Sequence, residues 1–199
     1  ICYPANAQTP CVTAAVAKLA PTVGAQAAGA YVQTNAPAAV GAMATAGAEL
    51  AALVNTQILA KGAKAITVIN VPDMAKTPFA LSQSAATQAL IDQMVTTFNS
   101  QLKAKLSTSS AVLYVDAYAV SQAQFANPAY YGLTNVTLPA CDLTPLKNVL
   151  GSSLVCNKGN LIPGVVTNYQ FADAVHPTPY GHSLLAYAVA MAMHKKGWL

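Results

Sequence analysis

Arginine is absent from this 199-residue chain, and all ten basic residues are lysines. No planar fork of guanidinium donors is therefore available to grip a phosphate or carboxylate in two-point fashion. The lysines are scattered apart from Lys195-Lys196, so the net charge of +4 gathers into no continuous basic stripe and a nucleic-acid partner is not expected. Charge of either sign is scarce, at 8% of residues. Long hydrophobic runs are lacking as well. The longest, around Leu184 to Met193, is interrupted by Tyr187 and falls short of the roughly 20 residues that cross a bilayer, so no transmembrane segment is expected. What is abundant is small apolar residues: 54% of the chain is hydrophobic, enough at a one-domain length to fill a sizeable core and to exclude disorder.

Cysteine is sparse and never in a C-x-x-C pair. The four residues form two sequence-local couples, Cys2 with Cys11 and Cys141 with Cys156, each enclosing a loop rich in turn-forming residues. Zinc would want closer pairs or convergent imidazoles, and the three histidines, His176, His182 and His194, lie far along the chain from the first couple. Two small disulfide loops are the expectation, and with them an oxidising location, secreted or periplasmic. The chain shows no signal peptide and opens on Ile1 rather than Met, which we read as removal of an upstream segment.

Along the chain, short helices are expected at Val12–Ala20 and Gln26–Gln33. A long amphipathic helix follows over Ala38–Lys61, with Met43, Leu50, Leu53, Val54 and Ile58 at helical spacing and Gly62 as its stop. The β-branched run Ala65–Val71 reads as a strand buried on both faces, with Pro72-Asp73 opening the loop beyond it. A second long helix fits Ser84–Leu106, a second strand Ala111–Asp116, and a short helix Ala117–Phe125. Residues 127–164 read as one long irregular stretch, and a terminal helix spans Pro179–Lys196, with Pro in its first turn and lysines in its last. This order is that of a parallel α/β layer, but two strands do not make a domain. An unpaired edge would cost about 1–3 kcal/mol per buried unsatisfied group. An N-terminal segment is expected to supply the remaining strands.

The chemistry concentrates in Asp173-Ala174-Val175-His176-Pro177-Thr178. A loop carboxylate can hold one nitrogen of an imidazole three positions on, leaving the other free to take a proton from a hydroxyl. No serine stands in a nucleophile's setting. Ser152, in Leu150-Gly151-Ser152-Ser153, has no strand before it to aim its hydroxyl. His182 is expected as a buried or capping residue at the start of the last helix, and His194 as a surface residue at its end. The separations of Asp173, His176 and His182 fit no metal-binding helix face, so neither metal nor organic cofactor is expected. Asp73 and Asp116, each following a strand, are expected as helix caps. Phe79, Tyr130 and Tyr131, in loops, are candidates to line an acyl-chain pocket. Asn135-Val136-Thr137 matches a glycosylation acceptor, a pattern that recurs by chance.

The Asp173-x-x-His176-Pro177-Thr178 loop with Gly181-His182 resembles the last motif block of the SGNH/GDSL hydrolases, in their secreted phospholipase, lecithinase and hemolysin-like branch. Ile66–Pro78 is similar to that family's fourth strand and following loop, and Phe98-Asn99 with Leu102 to the helix before its fifth; Val115-Asp116-Ala117-Tyr118 and Asn127–Cys141 resemble the segments after it. The resemblance implies a three-layer α/β/α sandwich with a parallel sheet. It implies a secreted serine ester hydrolase working through an acyl-enzyme, with His176 as general base and Asp173 as its orienting partner. The substrate would be a lipid or another ester, and lipid acyl transfer is a variant within the class. The family's Ser, Gly and Asn blocks have no counterpart here. Residues 1–199 are thus expected to be the C-terminal portion of one such domain, completed by an N-terminal fragment of the same precursor that carries the nucleophile. The competing expectation is a catalytically silent fragment or binding module that keeps the fold.

Overall fold

The computed structural model describes residues 25–199, with side chains from residue 34 onward. The Cys2–Cys11 couple and the helix expected at Val12–Ala20 lie outside the described residues. Two compact units divide the chain, Ile1–Ala42 and Met43–Leu199. The described part of the first is helical, and all described strands belong to the second.

One helix, α1 (Ala25–Leu53), stands where two were expected, and it continues through Pro37. Its C-terminal end widens into a π turn at Val54–Ile58 and tightens into a 3₁₀ turn at Leu59–Lys61, stopping at Gly62, which adopts φ +93°. A partner for the π turn is evident. Asn55 donates from its side-chain nitrogen to the Lys105 carbonyl at 2.9 Å and accepts the Ser107 amide at 3.0 Å, so the helix is locally unwound where it ties down the end of another. By length and composition Thr34–Lys61 is long and apolar enough to cross a membrane, unlike the shorter run at 184–193 on which the opposite expectation rested. Its Ala51 and Val54 are nonetheless core residues.

β1 (Ile66–Ile69) and β2 (Val112–Val115) pair in parallel, Ile66 opposite Val112 and Ile69 opposite Val115. Between them run a 3₁₀ turn at Met74–Lys76, the single-turn α2 (Pro78–Leu81) and the long α3 (Ala85–Lys105), capped by the Ser84 hydroxyl. Ile66, Val68 and Val112 meet Ala51, Val54, Leu102 and Leu106 in the core. The expectation of a strand buried on both faces fails: Ile69 is 41% exposed, because among the described residues the β1–β2 pair has no third strand. Close packing of α1 on α3 depends on Gly47, where a Cβ would collide with the Phe98 carbonyl.

After β2 come α4 (Ala117–Ala126) and a 3₁₀ turn at Pro128–Tyr131. The stretch expected to be wholly irregular contains β3 (Asn135–Pro139), paired in parallel with β4 (Tyr169–Phe171). Both escaped the sequence reading because they are short and irregular in register, and β3 carries only the pair Val136-Thr137 of β-branched residues between Asn135 and Pro139. α5 (Pro179–Lys195) closes the chain.

Candidate active site

β4 delivers the chain into the site. Immediately after it, the Ala172 amide donates to the His176 carbonyl at 2.8 Å, and Thr178 ties the far end of the loop back to β4: its hydroxyl donates to the Tyr169 carbonyl at 2.6 Å and its amide to the Gln170 carbonyl at 3.0 Å. The same hydroxyl oxygen accepts the Gly181 amide at 3.0 Å and so caps α5. Residues 173–177 are therefore a short, doubly stapled loop.

Inside it, Asp173 is buried and His176 is not. Asp173 Oδ1 accepts the amides of Val175 at 2.8 Å and His176 at 2.7 Å; Oδ2 accepts the amide of Ser153 at 2.6 Å and lies 2.8 Å from His176 Nδ1. Burial pushes the Asp173 carboxyl up, but the three amides and the imidazole outweigh it and hold the group down at about 2. An ionised Oδ2 can only accept, which fixes the proton on Nδ1 and leaves Nε2 of the neutral ring with a free lone pair. The imidazole side chain is 63% exposed. A hydroxyl placed at Nε2 would find a general base there.

The other expected residues fall into three groups. Phe79 is brought to the dyad's loop, its amide donating to the Ala174 carbonyl at 2.9 Å. Tyr130 and Tyr131 stack edge to face on each other at 5.1 Å, and the Tyr131 carbonyl accepts the Tyr180 hydroxyl at the start of α5. Asp73 and Asp116 are caps, accepting the amides of Ala75 at 3.0 Å and Ala119 at 3.1 Å. Ser152 also caps, its hydroxyl accepting the Leu154 amide at 3.3 Å. The expectation for His182 is corrected. It is exposed, and Thr178 does the capping, because the loop's return to β4 puts the Thr hydroxyl over the first turn of α5. His194 is exposed in the last turn, as expected.

Cys141 and Cys156 are joined in a disulfide, and the loop they close supplies the Ser153 amide. That contact was missed, as were two buried asparagines beyond β1. Asn99 of α3 clamps Val71, accepting its amide at 2.9 Å and donating to its carbonyl at 2.7 Å. Asn70 donates to Asp116 at 2.9 Å and to the Tyr114 hydroxyl at 2.8 Å. For Asn70 the available signal was a polar residue directly after an apolar strand; for Asn99 it was a polar residue on the apolar face of α3, beside Val95 and Leu102. A backbone amide such as that of Ser153 leaves none. A cavity of about 670 Å³, lined by Ala63, Lys64, Ser109, Ser110, Lys196 and Trp198 among others, lies at the opposite, N-terminal ends of β1 and β2 and takes no part in this site.

The family model of the GDSL-like lipase/acylhydrolases matches residues 22–189, which takes in Asp173, His176 and every strand among the described residues. The chain belongs to that family. No curated protein matches it. As a GDSL-like lipase/acylhydrolase the chain has the α/β fold of the family's three-layer α/β/α sandwich, and its parallel strand pairs and helices are parts of that architecture. Membership places it among ester hydrolases, and its Cys141–Cys156 disulfide is compatible with an oxidising compartment.

Proposed function

We propose that this chain is the Asp-His half of a secreted serine ester hydrolase of carboxylesterase, lipase or phospholipase A type. The observation that carries the reading is the Oδ2–Nδ1 contact at 2.8 Å between a buried, ionised Asp173 and an exposed His176. A serine hydroxyl at Nε2 gives its proton to His176 as its oxygen attacks the ester carbonyl, and Asp173 stabilises the imidazolium. His176 then protonates the leaving alcohol, and in the second half deprotonates the water that releases the acid.

Among the described residues no serine hydroxyl bonds His176, so the nucleophile and the oxyanion donors come from elsewhere. In this reading an N-terminal segment of the same precursor brings Ser, Gly and Asn and adds strands to the sheet; the 41% exposed Ile69 and the two-stranded β1–β2 pair support it. In this reading Asp173 and His176 are the catalytic residues of this chain and Phe79 lines the acyl site, supported by the bond of its amide to the Ala174 carbonyl. Tyr130, 78% exposed, and Tyr131 have only their proximity to α5 in support of a substrate role.

A fluorophosphonate probe tests the reading on native material. The expected result is labelling on a serine in the co-purifying N-terminal segment, with His176→Ala reducing both labelling and ester hydrolysis by at least about a thousandfold while leaving the circular dichroism unchanged. Labelling at Ser152, or full activity of His176→Ala, would overturn it. No labelling at all would favour a silent module.

A further inference from the structure

The carboxylate of Asp173 has a donor that comes neither from its own loop nor from the imidazole. Ser153 stands 20 residues earlier in the chain, in a segment closed by the Cys141–Cys156 disulfide. Its amide donates to Oδ2 at 2.6 Å, the same oxygen that faces His176 Nδ1. Among the described residues that amide has no other acceptor. The carbonyl on the other side of the same peptide bond, that of Ser152, accepts Nδ2 of Asn148 at 2.9 Å, while Asn148 Oδ1 accepts the Ser152 amide at 3.0 Å. Because a peptide unit is planar, anchoring its carbonyl fixes the direction of its N–H. Asn148 is 1% exposed, and the loop around it is braced again by Asn160, which donates to the carbonyls of Lys147 at 3.1 Å and Val155 at 2.9 Å.

We propose that the Ser153 amide, oriented by Asn148 within the disulfide loop, is a positioning group of the catalytic apparatus that locks the Asp173 carboxylate with Oδ2 on His176 Nδ1. The two amides on Oδ1 set where the carboxylate sits, but both come from its own turn of chain, residues 175 and 176. The Ser153 amide is the donor that crosses from a separately braced segment, and it resists rotation of the carboxylate about its last torsion, which is intrinsically broad. His176 is the only ionisable group among the described residues in contact with that carboxylate, so the arrangement has no second charge to stand in for the amide. The inference rests on Asp173 and His176 being the catalytic pair, but its physical content can be read without any activity.

Ser153→Pro deletes the N–H and little else. Ser153 is the first residue of the 3₁₀ turn Ser153–Val155, where proline is tolerated, and Ser152 before it is extended at φ −136°, ψ 152°, as a residue preceding proline must be. Ser153→Ala keeps the amide. The readout is the Asp173 13Cγ titration by NMR in the full native protein, together with kcat and KM on a soluble ester. Ser153→Pro and Asn148→Ala are expected to raise the Asp173 midpoint by about one unit and to lower kcat about tenfold or more with KM unchanged, and Ser153→Ala to track the wild type. In the wild type, a through-hydrogen-bond coupling between Ser153 15N and Asp173 13Cγ is expected, and it decides the matter if Ser153→Pro does not fold. Absence of that coupling, or a wild-type Asp173 midpoint in folded Ser153→Pro, would overturn the proposal. Hydrolysis surviving in His176→Ala would instead remove the catalytic reading and leave the titration result standing.

Discussion

Asp173 keeps its charge against its own burial because three amides and an imidazole converge on its two oxygens. That has a consequence for stability as well as for chemistry. The folded carboxyl is held at about 2, below the ordinary value of 3.8, so the folded state favours its ionised form. The stabilisation is full at neutral pH, above the unfolded value, and is lost as pH falls from about 4 to about 2. Its size is about 2 kcal/mol. Denaturant unfolding at pH 6 and pH 3 should show Asp173→Asn less stable than the wild type at the higher pH and the gap shrinking at the lower. A gap independent of pH would mean that the charge is not what the loop holds. The side chain of His176 enters this balance through its one contact with Oδ2, at 2.8 Å.

Asparagine, threonine and glycine at element ends position the site at the next scale. Asn99 lies on the buried face of α3 with Val95 and Leu102, and uses both its amide oxygen and its amide nitrogen on the backbone of Val71, where β1 gives way to the loop leading to Phe79. Thr178 both caps α5 and staples the dyad's loop to β4, which is why His182, a turn later, has no role in the cap. α5 itself sits so close to β4 that a Cβ on Gly181 would lie 2.7 Å from the Gln170 carbonyl oxygen and 3.0 Å from Pro177. Both neighbours are rigid. Gly181→Ala is therefore expected to destabilise the protein by about 1–3 kcal/mol and to displace the dyad's loop, visible as a lowered thermal midpoint together with a shift of the His176 imidazole resonances. Stability equal to the wild type would show that the helix can slide away from the strand at no cost.

For the whole molecule, the core cluster of the second unit that gathers Leu102, fully buried, with Ala51, Val54, Ile66, Val68, Leu106 and Val112 includes no residue of the 141–156 loop. A loop outside that cluster leaves room for a covalent brace to matter. The Cys141–Cys156 bond closes a loop with a sequence separation of 15, which in the chain-entropy picture is worth about 3 kcal/mol. Thermal unfolding with and without reductant should show a loss of that order. Because the loop presents Ser153 to Asp173, reduction is expected to impair ester hydrolysis at temperatures where the protein stays folded. Unchanged stability on reduction would mean the loop is held by Asn148 and Asn160 alone.

How much was legible follows from range. The helix α3 with its Ser84 cap, the strands β1 and β2, the stop at Gly62 and the pairing of Cys141 with Cys156 are local matters, decided by periodicity, β-branching, a φ that favours glycine and short loop closure, and the sequence by itself determined them. The Asp173-x-x-His176 spacing also determined that the two side chains could meet, since three residues of a turn leave few other arrangements. Tertiary structure alone decided what sequence spacing cannot encode: that β3 and β4 pair across 34 residues, that Ile69 is left exposed, that α1 runs through Pro37 and unwinds over Asn55, and that a backbone amide from the disulfide loop completes the cradle of Asp173. The strand pairing, the unwinding over Asn55 and the cradle of Asp173 each depend on a partner distant in the chain, and a backbone N–H is the same group in every residue but proline.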